Sequence, residues 1–76
     1  MAQRLPVLKP KEVIRALQRA GFFIHHTTGS HHILKHQERP QLRVTVPFHN
    51  KDLKRGTLAA IIKEAGYSVQ EFIELL

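Results

Sequence analysis

The sequence predicts an α+β domain in which helices cover one face of a three-stranded antiparallel sheet. Two observations support this prediction. Apolar residues recur at helical spacing near both ends of the chain, and three short β-prone segments with tight links lie between them. Strands joined by such links pair antiparallel, and amphipathic helices bury their apolar stripes against one sheet face. A chain of 76 residues has room for one compact core, so we expect a single domain over residues 1–76.

The first helix is predicted over 10–20, after an irregular lead-in of residues 1–9. Pro10 suits the first helical turn, because its missing N–H would be unpaired there. Val13 and Leu17 lie on one apolar stripe, and basic residues lie on the other side. Gly21 follows at the position where a left-handed cap is expected.

Three strands follow, predicted over 22–27, 31–36 and 42–48. The first is rich in aromatic and β-branched residues, and Thr28 and Gly29 supply the turn after it. In the third, apolar side chains at the even-numbered positions alternate with others at the odd-numbered ones, which predicts one buried face. The aromatic residues are expected mainly in the core: Phe22, Phe23, Phe48, Tyr67 and Phe72. Because Phe22 and Phe23 are neighbours on a strand, one of them must face away from the other and offers a contact surface.

A second long helix is predicted over 56–65, where Leu58, Ile61 and Ile62 share a stripe. Ser68 to Glu71 then matches a capping box, which opens a short C-terminal helix. The order is therefore α-β-β-β-α plus a short helix. This is the architecture of a double-stranded-RNA-binding domain, and its helices should pack on one face of the sheet.

Charge is unevenly distributed along the chain. It contains 12 Lys and Arg against 6 Asp and Glu, with a formal net charge of +6 and a pI near 10.4. All the basic residues lie within residues 1–63, whereas residues 64–76 contain three acidic residues and no basic one. A basic body of this kind attracts polyanions such as nucleic acids. The alternative is that the basic residues serve only to keep the protein in solution.

Several classes of protein are excluded by composition. The chain has no cysteine, which excludes a disulfide framework and a thiolate metal site. No apolar run approaches the roughly 20 residues that cross a bilayer. The first eleven residues carry three basic side chains and no apolar h-region, so we expect no signal peptide, no membrane association and a cytoplasmic location.

Histidine is the most informative residue type. The chain has six, and five of them lie between residues 25 and 36. Histidine exchanges protons near neutral pH. RNA carries its own nucleophile, the 2′-hydroxyl, so cleavage needs a base for that proton and an acid for the leaving 5′-oxygen. Each role contributes about 10²–10⁴-fold and requires no metal.

Four segments together resemble the HicA toxins of bacterial toxin–antitoxin systems. The Gly29 to His36 segment is similar to the family's Gly-Ser-His segment, and Val44 to His49 is similar to its Val-x-Val-Pro-x-His strand. Leu53 to Leu58 and Ile61 to Gly66 continue the resemblance, which covers roughly residues 9–73.

The resemblance implies a specific activity. HicA proteins are type II toxins with a double-stranded-RNA-binding-like fold, and they act as endoribonucleases on mRNA (mRNA interferases) without a cofactor. A HicB-type antitoxin neutralises them by covering the active site. The family's catalytic histidine directly follows the Gly-Ser pair, which in this sequence makes it His31. A non-catalytic double-stranded RNA-binding module and a protein-interaction module remain the alternative functions.

The remaining candidate residues surround this histidine. Gly29 and Ser30 allow the backbone to approach a phosphate closely. The expected phosphate contacts are Lys35, Lys51, Lys54 and Arg55, of which the last three precede or open the second long helix, where N–H groups favour anions. A solvated basic loop is their alternative role. His49 is either a second proton-transfer group or phosphate contact, or a loop histidine without a role.

The other four histidines are expected to be partly exposed polar residues: His25, His26, His32 and His36. Neighbouring residues of a strand point to opposite faces, which argues against a shared metal site. His32 should therefore face away from His31, and no metal site is expected.

Overall fold

The computed structural model describes residues 5–76 and confirms the predicted α+β class and element order. Of the predicted lead-in, residues 1–4 lie outside the described residues, and residues 5–9 form no helix or strand. The elements are α1 (Pro10–Arg19), β1 (Phe22–Thr28), β2 (His31–His36), β3 (Arg43–Pro47), α2 (Arg55–Glu64) and α3 (Val69–Ile73). The predicted and observed ends of α1, the three strands and α2 differ by at most one residue.

The three strands form an antiparallel sheet in the order β1-β2-β3, with β2 in the centre. Residues directly opposite one another point to the same face. One face, here called the covered face, packs against the helices and carries Phe22, Leu34, Val44 and Val46, which are at most 3% exposed. The other, the open face, consists of three rows across the sheet: Thr28 with His31 and Pro47, His26 with Ile33 and Thr45, and Phe23 with Lys35 and Arg43.

A β-bulge interrupts the pairing of β1 with β2. Ile24 pairs with Leu34, but the next residue of β2, Ile33, pairs with His26. His25 is thus the one extra residue in β1, and the alternation of side chains shifts there. The predicted separation of His25 and His26 to opposite faces is wrong, because both residues line one cavity.

All three helices contribute to the core on the covered face. Val13 and Leu17 of α1, Leu58 of α2 and Phe72 of α3 are at most 1% exposed. Burying side chains of this size stabilises the fold by about 1.5–3 kcal/mol each. Within residues 5–76, no helix is long and apolar enough to cross a membrane.

His36 belongs to the core, so the prediction of a partly exposed residue is wrong. It is 9% exposed, and its ring lies edge-on to Phe22 with centroids 4.9 Å apart. Its Nε2 donates to the carbonyl oxygen of Ala20 (2.8 Å), and its Nδ1 accepts from the N–H of Glu38 (3.1 Å). Gly21 has a φ of +104°, as its predicted cap requires, and a Cβ there would lie 2.8 Å from that Nε2.

Two of the aromatic residues are exposed; for Phe23 this agrees with the prediction that Phe22 and Phe23 face opposite ways, whereas Phe48 was expected in the core. Phe23 is 37% exposed because it points to the open face, and Phe48 is 40% exposed because it lies beyond the end of β3. Phe22 and Phe72 are buried as predicted, and Tyr67 is partly buried against the core.

The predicted capping box opens α3. The N–H of Glu71 donates to the Ser68 hydroxyl (3.1 Å), and the Glu71 carboxylate accepts from the N–H of Ser68 (2.8 Å). The backbone hydrogen bond from Ser68, followed by the bond with its side chain, holds the pKa of Glu71 below its ordinary value. This box positions α3 so that Phe72 enters the core.

Candidate active site

His31 is the first residue of β2 and lies on the open face. Its neighbours across the sheet are Thr28 of β1 and Pro47 of β3. The side chain is exposed to solvent. An imidazole in this position is accessible to a large substrate approaching the open face.

The turn before His31 brings three chain segments together. Gly29 has a φ of +50°, a left-handed conformation that favours glycine, and the space where its Cβ would stand is open. The N–H of Phe48 donates to the carbonyl oxygen of Ser30. This bond holds the Gly29-Ser30 turn against the chain that leaves β3. Because the space beside Gly29 is open, an anion can approach the turn backbone there.

His49 follows on that same segment and is exposed. Its Nδ1 accepts a hydrogen bond from the N–H of Lys51 at 3.1 Å, which holds the ring over the local chain. The Nε2 atom is therefore the ring nitrogen of His49 that can meet a substrate. The structure places His49 at the His31 end of the sheet.

Lys54 and Arg55 stand at the start of α2 and are exposed. Lys54 is the N-cap residue, with no side-chain capping bond, and the first turn of α2 has no acidic residue. The positive end of the helix dipole and two basic side chains thus coincide. Lys51 lies on the same segment between β3 and α2, also exposed.

Lys35 lies apart from these residues, at the opposite end of β2. Four residues along a strand span about 13 Å, so Lys35 does not share the immediate surroundings of His31. It lies opposite Arg43 on β3 and Phe23 on β1. Of the predicted phosphate contacts, Lys35 therefore lies on the open face at the end away from His31, whereas Lys51, Lys54 and Arg55 belong to the segment that joins β3 to α2 and to the first turn of α2.

Between His31 and the far end of β2 lies a cavity of about 210 Å³, here called the bulge pocket. Its lining residues are His25, His26, Ile33, Lys35 and Arg43. The alternation of apolar and other residues along β3 predicts that Arg43 lies on the face opposite to the buried one. Nothing in the sequence marks the bulge that brings His25 and His26 into the same pocket, since its position depends on pairing with β2.

His32 lies on the covered face, as predicted from its neighbour His31. Its ring stacks on Phe48, with centroids 4.2 Å apart and planes 16° apart. Its Nδ1 is buried and has no hydrogen-bond partner among the described residues. Because His32 packs at the edge of the covered face, it cannot exchange protons with a ligand bound at His31 on the open face.

The charged side chains of the open face are all basic. The three strands contain no acidic residue, whereas Lys35, Arg43 and three histidines lie on the open face or in the bulge pocket. Residues 5–76 contain no group of three or more His, Asp and Glu side chains that could hold a metal ion. This arrangement favours an anionic ligand held by cations and imidazoles.

Comparison with models of protein families identifies a match. A family model described as "HicA toxin of bacterial toxin-antitoxin" matches residues 10–67 of the 76-residue chain. The matched range begins with α1 and ends just after α2, so it contains the whole sheet and every candidate site residue. No curated protein matches the chain.

Proposed function

This chain belongs to the HicA toxin family of bacterial toxin–antitoxin systems, and from that membership we propose that it is an mRNA-cleaving endoribonuclease of the cytoplasm with His31 as its catalytic residue. The observation that carries the proposal is the position of His31. It is a solvent-exposed imidazole on a sheet face that has basic residues and no acidic ones. Such a surface attracts the RNA backbone and offers a proton-transfer group to it.

The proposed reaction uses the nucleophile of the RNA. His31 acts as general base or general acid. One group removes the 2′-hydroxyl proton, the oxygen attacks the adjacent phosphorus, and the 5′-oxygen leaves as the other group protonates it. The products are a 2′,3′-cyclic phosphate and a free 5′-hydroxyl. His49, through Nε2, is the proposed second proton-transfer group or phosphate contact.

The surrounding residues position the substrate. We propose that the backbone of Gly29 and Ser30 approaches the scissile phosphate, and that Lys51, Lys54 and Arg55 hold neighbouring phosphates. These contacts orient RNA without selecting its sequence. Cations beside the scissile bond also stabilise the charge that develops on the phosphate as the bond breaks. The reaction as proposed needs no cofactor.

His31→Ala provides the test. The purified wild-type protein is expected to cleave single-stranded RNA in the presence of EDTA, and the variant is expected to be about 10²–10⁴-fold slower because it lacks one proton-transfer group. His32→Gln is the matched control, since it changes the adjacent histidine on the other face and should keep most of the activity. Circular dichroism of both variants checks the fold.

Two outcomes would contradict the assignment. If His31→Ala cleaves RNA as fast as the wild type, His31 is not catalytic. If the wild type leaves single-stranded RNA intact but binds RNA duplexes tightly, the protein is a non-catalytic double-stranded RNA-binding module.

The partner also follows from membership of the family. A toxin of a toxin–antitoxin system has an antitoxin partner. We propose that this partner is a HicB-type protein that covers the open face at His31 and so prevents access of mRNA. Acidic residues are expected on the antitoxin surface that meets this face, because the face itself carries only basic charge.

A further inference from the structure

The bulge pocket contains an unfavourable arrangement of charge. Lys35 and Arg43 lie directly opposite each other on adjacent strands, and like charges in such pairs are destabilising. Neither side chain has an acidic neighbour on the strands. An anion bound between them would remove the repulsion.

The two histidines of the pocket add donors to this cationic pair. His25 and His26 line the pocket together because the bulge removes the usual alternation between them. A bulge that re-aims side chains is a common device next to functional sites. Imidazole N–H groups bind phosphate oxygens, so the pocket offers two basic side chains and two further donors around a volume of about 210 Å³.

The distance from His31 suits the spacing of an RNA strand. Two lining residues of the pocket, Ile33 and Lys35, lie two and four residues along β2 from His31, about 7 and 13 Å along the strand. Successive phosphates of an extended single strand are separated by about the shorter of these distances, and Lys35 and Arg43 line the same cavity as Ile33. A strand with one phosphate at His31 can therefore place the next phosphate at the pocket.

We propose that the bulge pocket binds the RNA phosphate adjacent to the one cleaved at His31, so that single-stranded RNA runs along β2 on the open face. The proposal rests on the proposed ribonuclease function and adds a second phosphate site, with His25, His26 and Arg43 as binding residues. An acidic segment of a protein partner is the competing occupant of this pocket.

The first experiment measures binding without cleavage. The probe is a trinucleotide with two phosphates and 2′-deoxyribose throughout, which has no internal nucleophile. Its addition is expected to shift the NMR signals of His25 and His26. The double variant Lys35→Gln/Arg43→Gln should bind it roughly tenfold more weakly or worse, since bonds to charged groups are lost. Lys63→Gln, which removes one exposed basic residue from α2, is the control and should bind as the wild type does.

The second experiment locates the phosphate. In otherwise identical ribonucleotide oligomers, the phosphate on the 5′ side or the 3′ side of the cleaved bond is replaced by a neutral methylphosphonate. One replacement should slow cleavage by the wild type roughly tenfold, because a charge-assisted contact is lost. The double variant should be slow on the unmodified oligomer and show no further loss on the modified one.

The outcomes separate this proposal from the proposed function. Equal sensitivity of the wild type and the double variant to both replacements overturns the second phosphate site, even if His31→Ala abolishes cleavage. Loss of trinucleotide binding in the double variant, in a protein that cleaves no RNA, supports the site and contradicts the ribonuclease function. Unchanged trinucleotide binding together with lost binding of an acidic partner protein assigns the pocket to the partner.

Thermal unfolding gives an independent check. In low-salt buffer without phosphate, the double variant should be at least as stable as the wild type, because the repulsion between Lys35 and Arg43 is removed. Inorganic phosphate should raise the melting temperature of the wild type more than that of the double variant, since a ligand stabilises the state that binds it. Equal increases would contradict a phosphate site in the pocket.

Discussion

The two faces of β2 differ in role, although their residues alternate along a single strand: one face packs in the core and the other is open to ligands. Leu34 and His36 point to the covered face and are buried in the core, whereas His31, Ile33 and Lys35 point to the open face. Residues of the first set determine how stable the fold is. Those of the second set are free to meet a ligand, because the core does not depend on their shape.

His36 and His31 show what the difference teaches. Both are histidines of the same strand, five residues apart. Both ring nitrogens of His36 are engaged by backbone groups, and its ring packs on Phe22. His31 is exposed at the start of the strand. The residue type is therefore a weak guide to function, and the face of the sheet together with the hydrogen-bond partners decides the role.

The largest expected effect on stability comes from Leu34, which is completely buried. Leu34→Ala should lower the free energy of unfolding by about 2–5 kcal/mol, since it removes buried methyl groups and leaves a cavity. Ile33→Ala, at the neighbouring position on the open face, is the matched control and should cost clearly less. Urea unfolding measures both, and equal losses would break the distinction between the faces.

His36 tests whether a histidine can serve as a core residue. His36→Ala should cost about 2 kcal/mol, because the carbonyl of Ala20 and the N–H of Glu38 lose their partners. His31→Ala should change stability by no more than about 0.5 kcal/mol, as expected for an exposed residue without such bonds. The reverse order in thermal or urea unfolding would show that the two histidines have been assigned to the wrong roles.

A smaller effect is expected at the start of α3, which brings Phe72 to the covered face. Ser68→Ala removes the N-cap acceptor for the N–H of Glu71 and should cost about 1 kcal/mol. Ser68→Asp keeps an acceptor at this position and should restore most of the stability. A loss as large as that of Leu34→Ala would mean that the cap, and not the packing of Phe72, holds the helix in place.

The smallest effect concerns the pH dependence of that cap. The bonds from Ser68 hold the pKa of Glu71 below its ordinary value of 4.5. A carboxyl group with a lowered pKa in the folded state contributes stability above its unfolded pKa and loses it as the pH falls through the folded value. NMR titration should therefore show a higher pKa for Glu71 in Ser68→Ala than in the wild type. The same pKa in both proteins would rule out the Ser68 side chain as a cause and leave the backbone N–H of residue 68, which the variant keeps.

Parts of the fold and of the candidate site could be predicted because their signals are local. Gly21 after an apolar helical stripe, the Ser68 to Glu71 box and the alternation of Val44 with Arg43 each depend on a few neighbouring residues. The catalytic role expected for His31 came from the family resemblance. The turn of residues 29 and 30 places this residue at the start of β2.

Other parts could not be predicted because they depend on contacts between distant residues. The burial of His36 requires Ala20 and Gly21 to lie beside it, at the far end of a hairpin. Phe23 and Phe48 look like core residues in the sequence, yet one faces the open side and the other lies past the end of its strand. The sequence does not show which of the two adjacent residues, Phe22 and Phe23, is the one that packs in the core.

The sequence by itself determined the order of the elements, their approximate ends, the caps and the excess of positive charge, since these follow from short-range spacing and composition. Only the tertiary structure decided which histidines are structural, where the bulge falls in β1, and that Lys35 and Arg43 oppose each other across β2 and β3. The physical reason is strand register. It is set by pairing across the sheet, and a shift of one residue exchanges the two faces of a strand.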